Sequence, residues 1–129
     1  MDKEKLQVKC LFYIMLKSLE EISEIDEDLQ DELEDFEAVI GWKIADIVGY
    51  QVFKDGKITG VIDEEDPDAD VTLILDELDK GRQLLTGELD GTAAYMSGDL
   101  KIEGDMQLAM KVGTFTEFIM DYMGPLLER

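Results

Sequence analysis

A chain of 129 residues, 45% of them hydrophobic and 34% charged, is long enough to bury a core, and we expect one domain over residues 1–129. Its formal net charge of −20 argues against nucleic acid, which is bound by basic patches, and against electrostatic docking on anionic lipid. Because the chain contains no histidine and only one cysteine, histidine-based catalysis, imidazole metal sites, cysteine-rich zinc sites and an internal disulfide are excluded.

Hydrophobic residues are not arranged as in a membrane protein. The longest unbroken apolar run, Cys10–Leu16, is far shorter than the about 20 residues that a membrane-spanning helix needs. The chain is charged from residue 2 onward, unlike a signal peptide. The sequence therefore predicts a cytoplasmic protein.

The first predicted element is a helix over residues 3–23 that carries two apolar rows. The main row has helical spacing and consists of Val8, Leu11, Met15, Leu19 and Ile22, widened by Phe12 and Leu16. The second row consists of Leu6, Cys10, Tyr13 and Ile14. Two interpretations follow: the helix lies between the core and neighbouring loops, or its second row forms a subunit contact or a lid over a cavity. Since Cys10 has apolar company and no adjacent base, it is predicted to be a buried structural thiol.

The next segment, residues 20–37, carries eleven acidic residues and no basic one. Leu29, Leu33 and Phe36 recur at helical spacing and predict a short amphipathic helix over residues 27–36. Asp26 precedes it and is the predicted N-cap. The acidic side chains are interpreted as its solvated face.

From residue 39 the pattern changes to that of strands rich in β-branched and aromatic residues. The predicted strands are Val39–Ala45, Ile47–Lys54, Lys57–Asp63, Val71–Leu75 and, later in the chain, Leu100–Glu103. Asp55-Gly56 predicts a type I′ hairpin turn, which requires positive φ angles. Because the first four strands follow each other at short intervals, we expect a mainly antiparallel sheet.

The remaining segments are predicted to be mostly helical. Asp76–Thr86 is a helix or a pair of turns that ends at Gly87, and Leu89–Ser97 is a helix or an irregular turn. A C-terminal helix is predicted over Asp105–Met123, bent or divided at Gly113 and ended by Gly124-Pro125. Beyond Gly113, this segment is predicted either to act as a lid over a cavity or to pack as ordinary core.

One acidic cluster has a residue spacing similar to that of a calcium-binding loop. Asp66, Asp68, Asp70 and Glu77 have the ligand spacing of an EF-hand loop. However, Val71 stands where that loop needs a glycine, and strand patterns replace the flanking helices. The cluster is therefore interpreted as a solvated acidic loop, and no metal site is predicted.

The run MSGDLKIEGDMQLAMKV, at residues 96–112, with LTGELDGTAAY before it, resembles the lipid-transfer domain of the sterol-carrier-protein family. The resemblance is specific over Leu85–Val112, with Asp99 standing where a lysine is common. It implies an α+β fold in which helices cover a five-stranded, mainly antiparallel sheet and enclose an apolar tunnel for acyl chains or sterols.

The resemblance also implies which side chains contact the lipid. The motif and the first turns after it supply Tyr95, Met96, Leu100, Ile102, Met106, Ala109 and Met110 as wall candidates. The sheet supplies Trp42, Ile44, Phe53 and Leu73. Phe115 and Ile119 are added as lipid contacts because they belong to the apolar surface beyond Gly113 that is predicted to cover the tunnel mouth. Five of the seven methionines lie in residues 96–123, and their flexible, polarizable side chains suit a ligand of irregular shape, although core filling also explains them.

The predicted function is non-covalent binding of a sterol, fatty acid, fatty acyl-CoA-like lipid or other long apolar molecule, and its transfer. The alternative is a lipid-presenting or dimerising accessory module, whose partner is a second copy or a separate enzyme. No catalytic residue and no cofactor are predicted, because no nucleophile and base occur together.

Overall fold

The computed structural model describes residues 2–127, which form five helices and five strands. The helices are α1 (Lys3–Ile25), α2 (Glu27–Leu33), α3 (Leu78–Leu85), α4 (Gly91–Ser97) and α5 (Met106–Leu127). The strands are β1 (Ala38–Ile44), β2 (Ile47–Lys54), β3 (Lys57–Ile62), β4 (Val71–Leu75) and β5 (Lys101–Gly104). The predicted α+β class is confirmed.

The five strands form one mixed sheet in the order β3-β2-β1-β4-β5. Three neighbouring pairs are antiparallel, and β1 and β4 are parallel, so the sheet is mainly antiparallel as predicted. Asp55 and Gly56 have φ angles of 54° and 74°, which confirms the predicted hairpin turn between β2 and β3. In the acidic loop before β4, the Asp70 carboxylate accepts the backbone N–H of Val39 at 2.7 Å and so ties the loop to β1.

Helices cover one face of the sheet, and α1 lies closest to it where the strands carry glycine. A Cβ atom on Gly49 would lie 2.7 Å from the Phe12 ring, and one on Gly60 would lie 3.1 Å from Leu16. These glycines of β2 and β3 therefore let the aromatic and aliphatic side chains of α1 rest directly on the strand backbone. The apolar stripe predicted for α1 is buried along this contact.

The second apolar row of α1 faces outward, which contradicts the interpretation of a helix enclosed between core and loops. Leu6 and Tyr13 are each 50% exposed, Ile14 is 43% exposed, and Cys10 is also exposed. The prediction of a buried Cys10 is therefore wrong. The physical reason is that seven consecutive apolar residues make nearly two helical turns, so Cys10–Leu16 reaches all sides of α1 while only one side meets the sheet.

The acidic segment forms α2, which is shorter than predicted. Asp26 caps it as expected, since its side chain accepts the N–H of Leu29 at 3.0 Å. The helix ends at Leu33, and Phe36 packs against the core from the irregular segment that follows. Phe36 therefore continues the apolar face without continuing the helix.

The last helix, α5, is continuous from Met106 to Leu127, so the predicted stop at Gly124-Pro125 and the division at Gly113 are wrong. Gly113 is exposed and has open space around its Cβ position, so nothing forces a break there. Pro125 lies in the last turn of α5 and is exposed. Proline has no N–H to donate to the carbonyl of Asp121 one turn earlier, and Asp121 is itself an exposed residue.

Replacing Gly113 with alanine should stabilise the protein. The new methyl group meets open space, and alanine is favoured over glycine in a helix interior by roughly 0.5–1 kcal/mol. Urea denaturation should show a higher midpoint with an unchanged slope. Gly81→Ala in α3 is the matched control with the opposite sign, since its Cβ would lie 2.2 Å from Cγ2 of Ile44. A destabilised Gly113→Ala protein would contradict this prediction.

Candidate binding site in the apolar interior

A small cavity of about 20 Å³ lies between the sheet and the helices that cover it. Ligand pockets for small molecules usually measure about 300–1,000 Å³, so this space is near the size of one water molecule. Its lining consists of Phe12, Met15, Leu16 and Leu19 from α1, Trp42 and Gln51 from the sheet, Leu85 from α3, and Val112, Phe115, Thr116 and Ile119 from α5. Facing sides of α1 and α5 thus supply most of its wall.

Two hydrogen bonds engage polar side chains of this wall. Trp42 Nε1 donates to Gln51 Oε1 at 2.9 Å, and both side chains are buried. The Thr116 hydroxyl donates to the Val112 carbonyl at 3.0 Å within α5. None of the lining side chains is ionisable. The wall therefore offers aromatic rings, methyl and methylene groups to a ligand, without a free charge or an acid–base pair for catalysis.

Aromatic contacts border the cavity at the α5 side. The rings of Phe53 and Phe115 stack with centroids 4.9 Å apart. Phe36 meets both rings edge-on, at 5.2 Å from Phe53 and 5.4 Å from Phe115. Phe115 consequently belongs both to the cavity wall and to the largest aromatic cluster among the described residues.

The predicted lipid contacts divide into three groups. Trp42, Phe115 and Ile119 line the cavity. The second group lies in the core without lining the cavity. It consists of the half-buried Ile102 and five buried residues, Ile44, Phe53, Leu73, Leu100 and Ala109. The last four are exposed at the surface: Tyr95 by 42%, Met96 by 78%, Met106 by 39% and Met110 by 68%. An open tunnel lined by the whole set is thus absent from the described part of the chain in this conformation.

The contribution of α1 to the wall was missed because its inner stripe reads equally well as ordinary core. Phe12, Met15, Leu16 and Leu19 lie outside the motif that carries the family resemblance, so only their apolar spacing marks them. Gln51 could have been identified more readily from the sequence. It occupies an inward position of β2 between Gly49 and Phe53, where a polar side chain needs a buried partner.

Two polar contacts tie α5 to the acidic segment outside the cavity. Lys111 forms an ion pair with Glu32 of α2. The Tyr122 hydroxyl donates to Asp26 Oδ2 at 2.8 Å. The backbone N–H of Leu29 and then the Tyr122 hydroxyl lower the pKa of Asp26, while the bond to Asp26 raises the pKa of Tyr122. This contact therefore weakens when Asp26 is protonated in acid or Tyr122 ionises in alkali.

Known proteins share the sequence pattern and the fold described above. A profile of the SCP-2 sterol transfer family matches residues 19–117. The sterol carrier protein domain 2 of Helicoverpa armigera has a TM-score of 0.59 and 26% identity, with 86% of this chain and 88% of that one covered. Sterol carrier protein 2 from Aedes aegypti, solved in complex with palmitate, has a TM-score of 0.58 and 23% identity, with 92% and 98% covered.

A likeness to a larger protein was also found. The sec-alkylsulfatase Pisa1 from Pseudomonas sp. matches with a TM-score of 0.56 and 24% identity. The match covers 69% of this chain but only 14% of the sulfatase's length. No curated protein sequence matches significantly.

No described helix has the length and apolar character needed to cross a membrane. The family profile covers more than three quarters of the sequence, including the whole sheet and the motif before α5. The chain belongs to the SCP-2 sterol transfer family.

Proposed function

We propose that this protein binds one long apolar molecule non-covalently between its sheet and helices α1 and α5, and transfers it. The ligand class is a fatty acid, a fatty acyl-CoA-like lipid or a sterol. The observation that carries the proposal is an interior cavity without any ionisable lining residue in a member of the SCP-2 sterol transfer family. The palmitate complex of the similar Aedes aegypti protein supports a ligand with an acyl chain.

Transfer of a hydrocarbon chain from water supplies the binding energy. Each buried methylene contributes about 0.8 kcal/mol, so a dozen methylenes contribute roughly 10 kcal/mol before the costs of association are subtracted. An apolar wall can therefore hold a lipid tail without a specific polar contact.

Binding requires the interior to widen, since a cavity of about 20 Å³ cannot hold an acyl chain. In this proposal, α5 moves outward from the sheet. Its inner face borders the cavity. Of its outer polar ties, the bond from Tyr122 to Asp26 is solvent-exposed and the ion pair with Glu32 of α2 is only partly buried, and such contacts are generally weak. Widening costs stability, because Phe115 and Ile119 leave core neighbours, and the bound lipid replaces those contacts.

The residues proposed to contact the lipid first are Trp42, Phe115 and Ile119. Leu73, Leu100 and the half-buried Ile102 become contacts when the cavity widens toward β4 and β5. Ile44, Phe53 and Ala109 become contacts when it widens along β1, β2 and α5. Tyr95, Met96, Met106 and Met110 become contacts only where a ligand reaches the surface at α4 and the start of α5. These assignments stay predictions.

Trp42 makes the proposal directly testable, because it is the only tryptophan in the chain and lines the cavity. We expect bromine-labelled palmitate to quench its fluorescence saturably at micromolar protein, with one ligand bound per chain. Unlabelled palmitate should reverse the quenching. A brominated four-carbon acid, which has the same headgroup, should not quench, since its short chain gains too little from burial.

A matched pair of variants tests the place of binding. Thr116→Phe adds a ring at the cavity wall and should weaken lipid binding about tenfold or more, whereas Glu117→Phe adds the same ring to the neighbouring, exposed position of α5 and should not. Circular dichroism checks that both variants fold. Absence of saturable quenching in the folded protein, or equal affinity in both variants, would defeat the proposal.

A second candidate is a lipid-presenting or dimerising accessory module beside a separate enzyme. The likeness to one segment of the sec-alkylsulfatase and the exposed second row of α1 favour it. Native mass spectrometry with light scattering separates the two functions: a monomer that carries lipid supports the carrier, and an empty dimer supports the module. In both, we propose a protein that is itself not an enzyme, and a cytoplasmic location stays a prediction.

A further inference from the structure

A second apolar surface lies outside the cavity, in a groove between the C-terminal halves of α1 and α5. Its volume is about 580 Å³, and its apolar floor consists of Tyr13, Ile14, Ile22, Ile25, Tyr122 and Met123. This volume is in the range that holds an organic ligand or the anchor side chains of a partner. The groove is separated from the cavity by the same two helices, whose opposite faces line the interior.

Exposed apolar side chains are concentrated at this groove. Ile25 is 70% exposed, Tyr13 is 50%, Ile14 is 43% and Tyr122 is 41%. They are four of the ten large hydrophobic side chains that the described chain exposes. A cluster of this kind, in contrast to scattered apolar residues, marks a surface that another molecule covers.

The rim of the groove is acidic. Glu21 and Glu24 line it, and the carboxylates of Asp28 and Asp121 act on Tyr122, whose pKa they help to raise. The single basic residue of the lining, Lys17, is already engaged: its Nζ lies 3.0 Å from Glu20 and donates to the Gly60 carbonyl at 3.2 Å. Among the described residues, the apolar floor is thus bordered by acidic side chains, and the one basic side chain that lines it is engaged.

This charge decides between occupants. A second copy would bring an equally acidic rim, since each chain carries a net charge of −20. An anionic membrane would be repelled for the same reason. A partner with an apolar face and basic flanks is complementary to both the apolar floor and the acidic rim.

We propose that the groove binds an amphipathic helix of a partner protein, with aliphatic or aromatic residues on one face and lysine or arginine beside them. From Tyr13 to Ile25 the floor runs along thirteen residues of α1, a rise of about 18 Å or just over three helical turns. Such a helix meets it with anchors at positions i, i+4 and i+7. This interaction uses the outer faces of α1 and α5, so it does not require a lipid in the cavity.

The probe is a synthetic fluorescein-labelled helical peptide of sixteen residues, about four turns long, with leucine along one face and lysine at the flanking positions. Its twin carries glutamate in place of every lysine. Fluorescence anisotropy should show saturable binding of the lysine peptide that weakens with added salt, and binding of the glutamate twin at least about tenfold weaker.

Variants locate the interaction. Ile14→Ser with Ile25→Ser should weaken binding of the lysine peptide about tenfold or more, whereas Leu6→Ser, at a 50% exposed position of α1 outside the groove, should leave it unchanged. Glu21→Gln with Glu24→Gln should reduce the dependence on salt. Because these positions are exposed, the variants are expected to fold, and circular dichroism checks that they do.

Four results would overturn the proposal. The first is equal affinity for the two peptides, and the second is binding that Ile14→Ser with Ile25→Ser leaves unchanged. The third is a dimer of this chain that Ile25→Ser dissociates, which would assign the groove to a second copy. The fourth is co-sedimentation with phosphatidylcholine–phosphatidylglycerol vesicles that the same substitution abolishes, which would assign it to a membrane.

Discussion

Truncation after Val112 is expected to leave a chain that does not fold. The deletion removes Phe115 and Ile119, which are 3% and 7% exposed, together with the half-buried Phe118, Met120 and Met123. Loss of one large buried side chain costs about 2–5 kcal/mol, and a whole domain of this size is stable by about 5–15 kcal/mol. Far-ultraviolet circular dichroism and thermal denaturation should show little helix and no cooperative transition.

The control is a truncation after Gly124, which retains every α5 side chain that the structure describes as buried and removes residues 125–129, including the exposed Pro125 and Leu126. This shorter chain should unfold cooperatively near the midpoint of the full-length protein. The comparison also decides between the two roles that the sequence leaves open for the end of the chain, a lid or ordinary core. A well-folded chain ending at Val112, with faster lipid release, would establish the lid and contradict the expectation from burial.

Elements with local causes could be predicted from the sequence. The hairpin between β2 and β3 follows from Asp55-Gly56, two adjacent residues that accept positive φ angles. The cap of α2 follows from one side chain, Asp26, and the backbone three residues later. The strand β4 was predicted over Val71–Leu75 and has those bounds, because alternating β-branched and aliphatic residues fit a pleated surface.

Features that depend on distant contacts could not be predicted in the same way. The parallel pairing of β1 with β4 joins Ile40 to Val71, and no turn residue encodes a contact of that length. The apolar run on α1 does not indicate which of its sides meets the sheet, so Cys10 was placed inside while it is exposed. Similarly, Met96 and Met110 belong to an apolar motif but lie on outward faces of their helices, at 78% and 68% exposure.

Only part of the candidate site could be predicted, because the rest of the cavity wall also depends on distant contacts. Trp42, Phe115 and Ile119 were identified and line the cavity, while the α1 side of the wall was missed. A resemblance confined to Leu85–Val112 cannot indicate what packs against that segment from the start of the chain. Both helices border the cavity, so the wall is a product of tertiary packing.

Phe115→Ala should lower the free energy of unfolding by about 3–5 kcal/mol. The substitution removes the stack on Phe53 at 4.9 Å and the edge contact with Phe36, and it leaves a void next to the existing cavity. Urea denaturation measures the loss. If the variant is too unstable to fold, Phe115→Leu gives a smaller change of the same sign.

The same substitution links stability to lipid binding. Because the new void joins the cavity, palmitate should bind the variant without displacing a ring, and a ligand at a hundred times its dissociation constant restores about 2.7 kcal/mol. Phe118→Ala is the control, since Phe118 is half-buried on the same helix and does not line the cavity. Palmitate should therefore raise the unfolding midpoint of Phe115→Ala more than that of Phe118→Ala. Equal shifts in the two variants would place the lipid away from Phe115 and contradict binding between the sheet and α5.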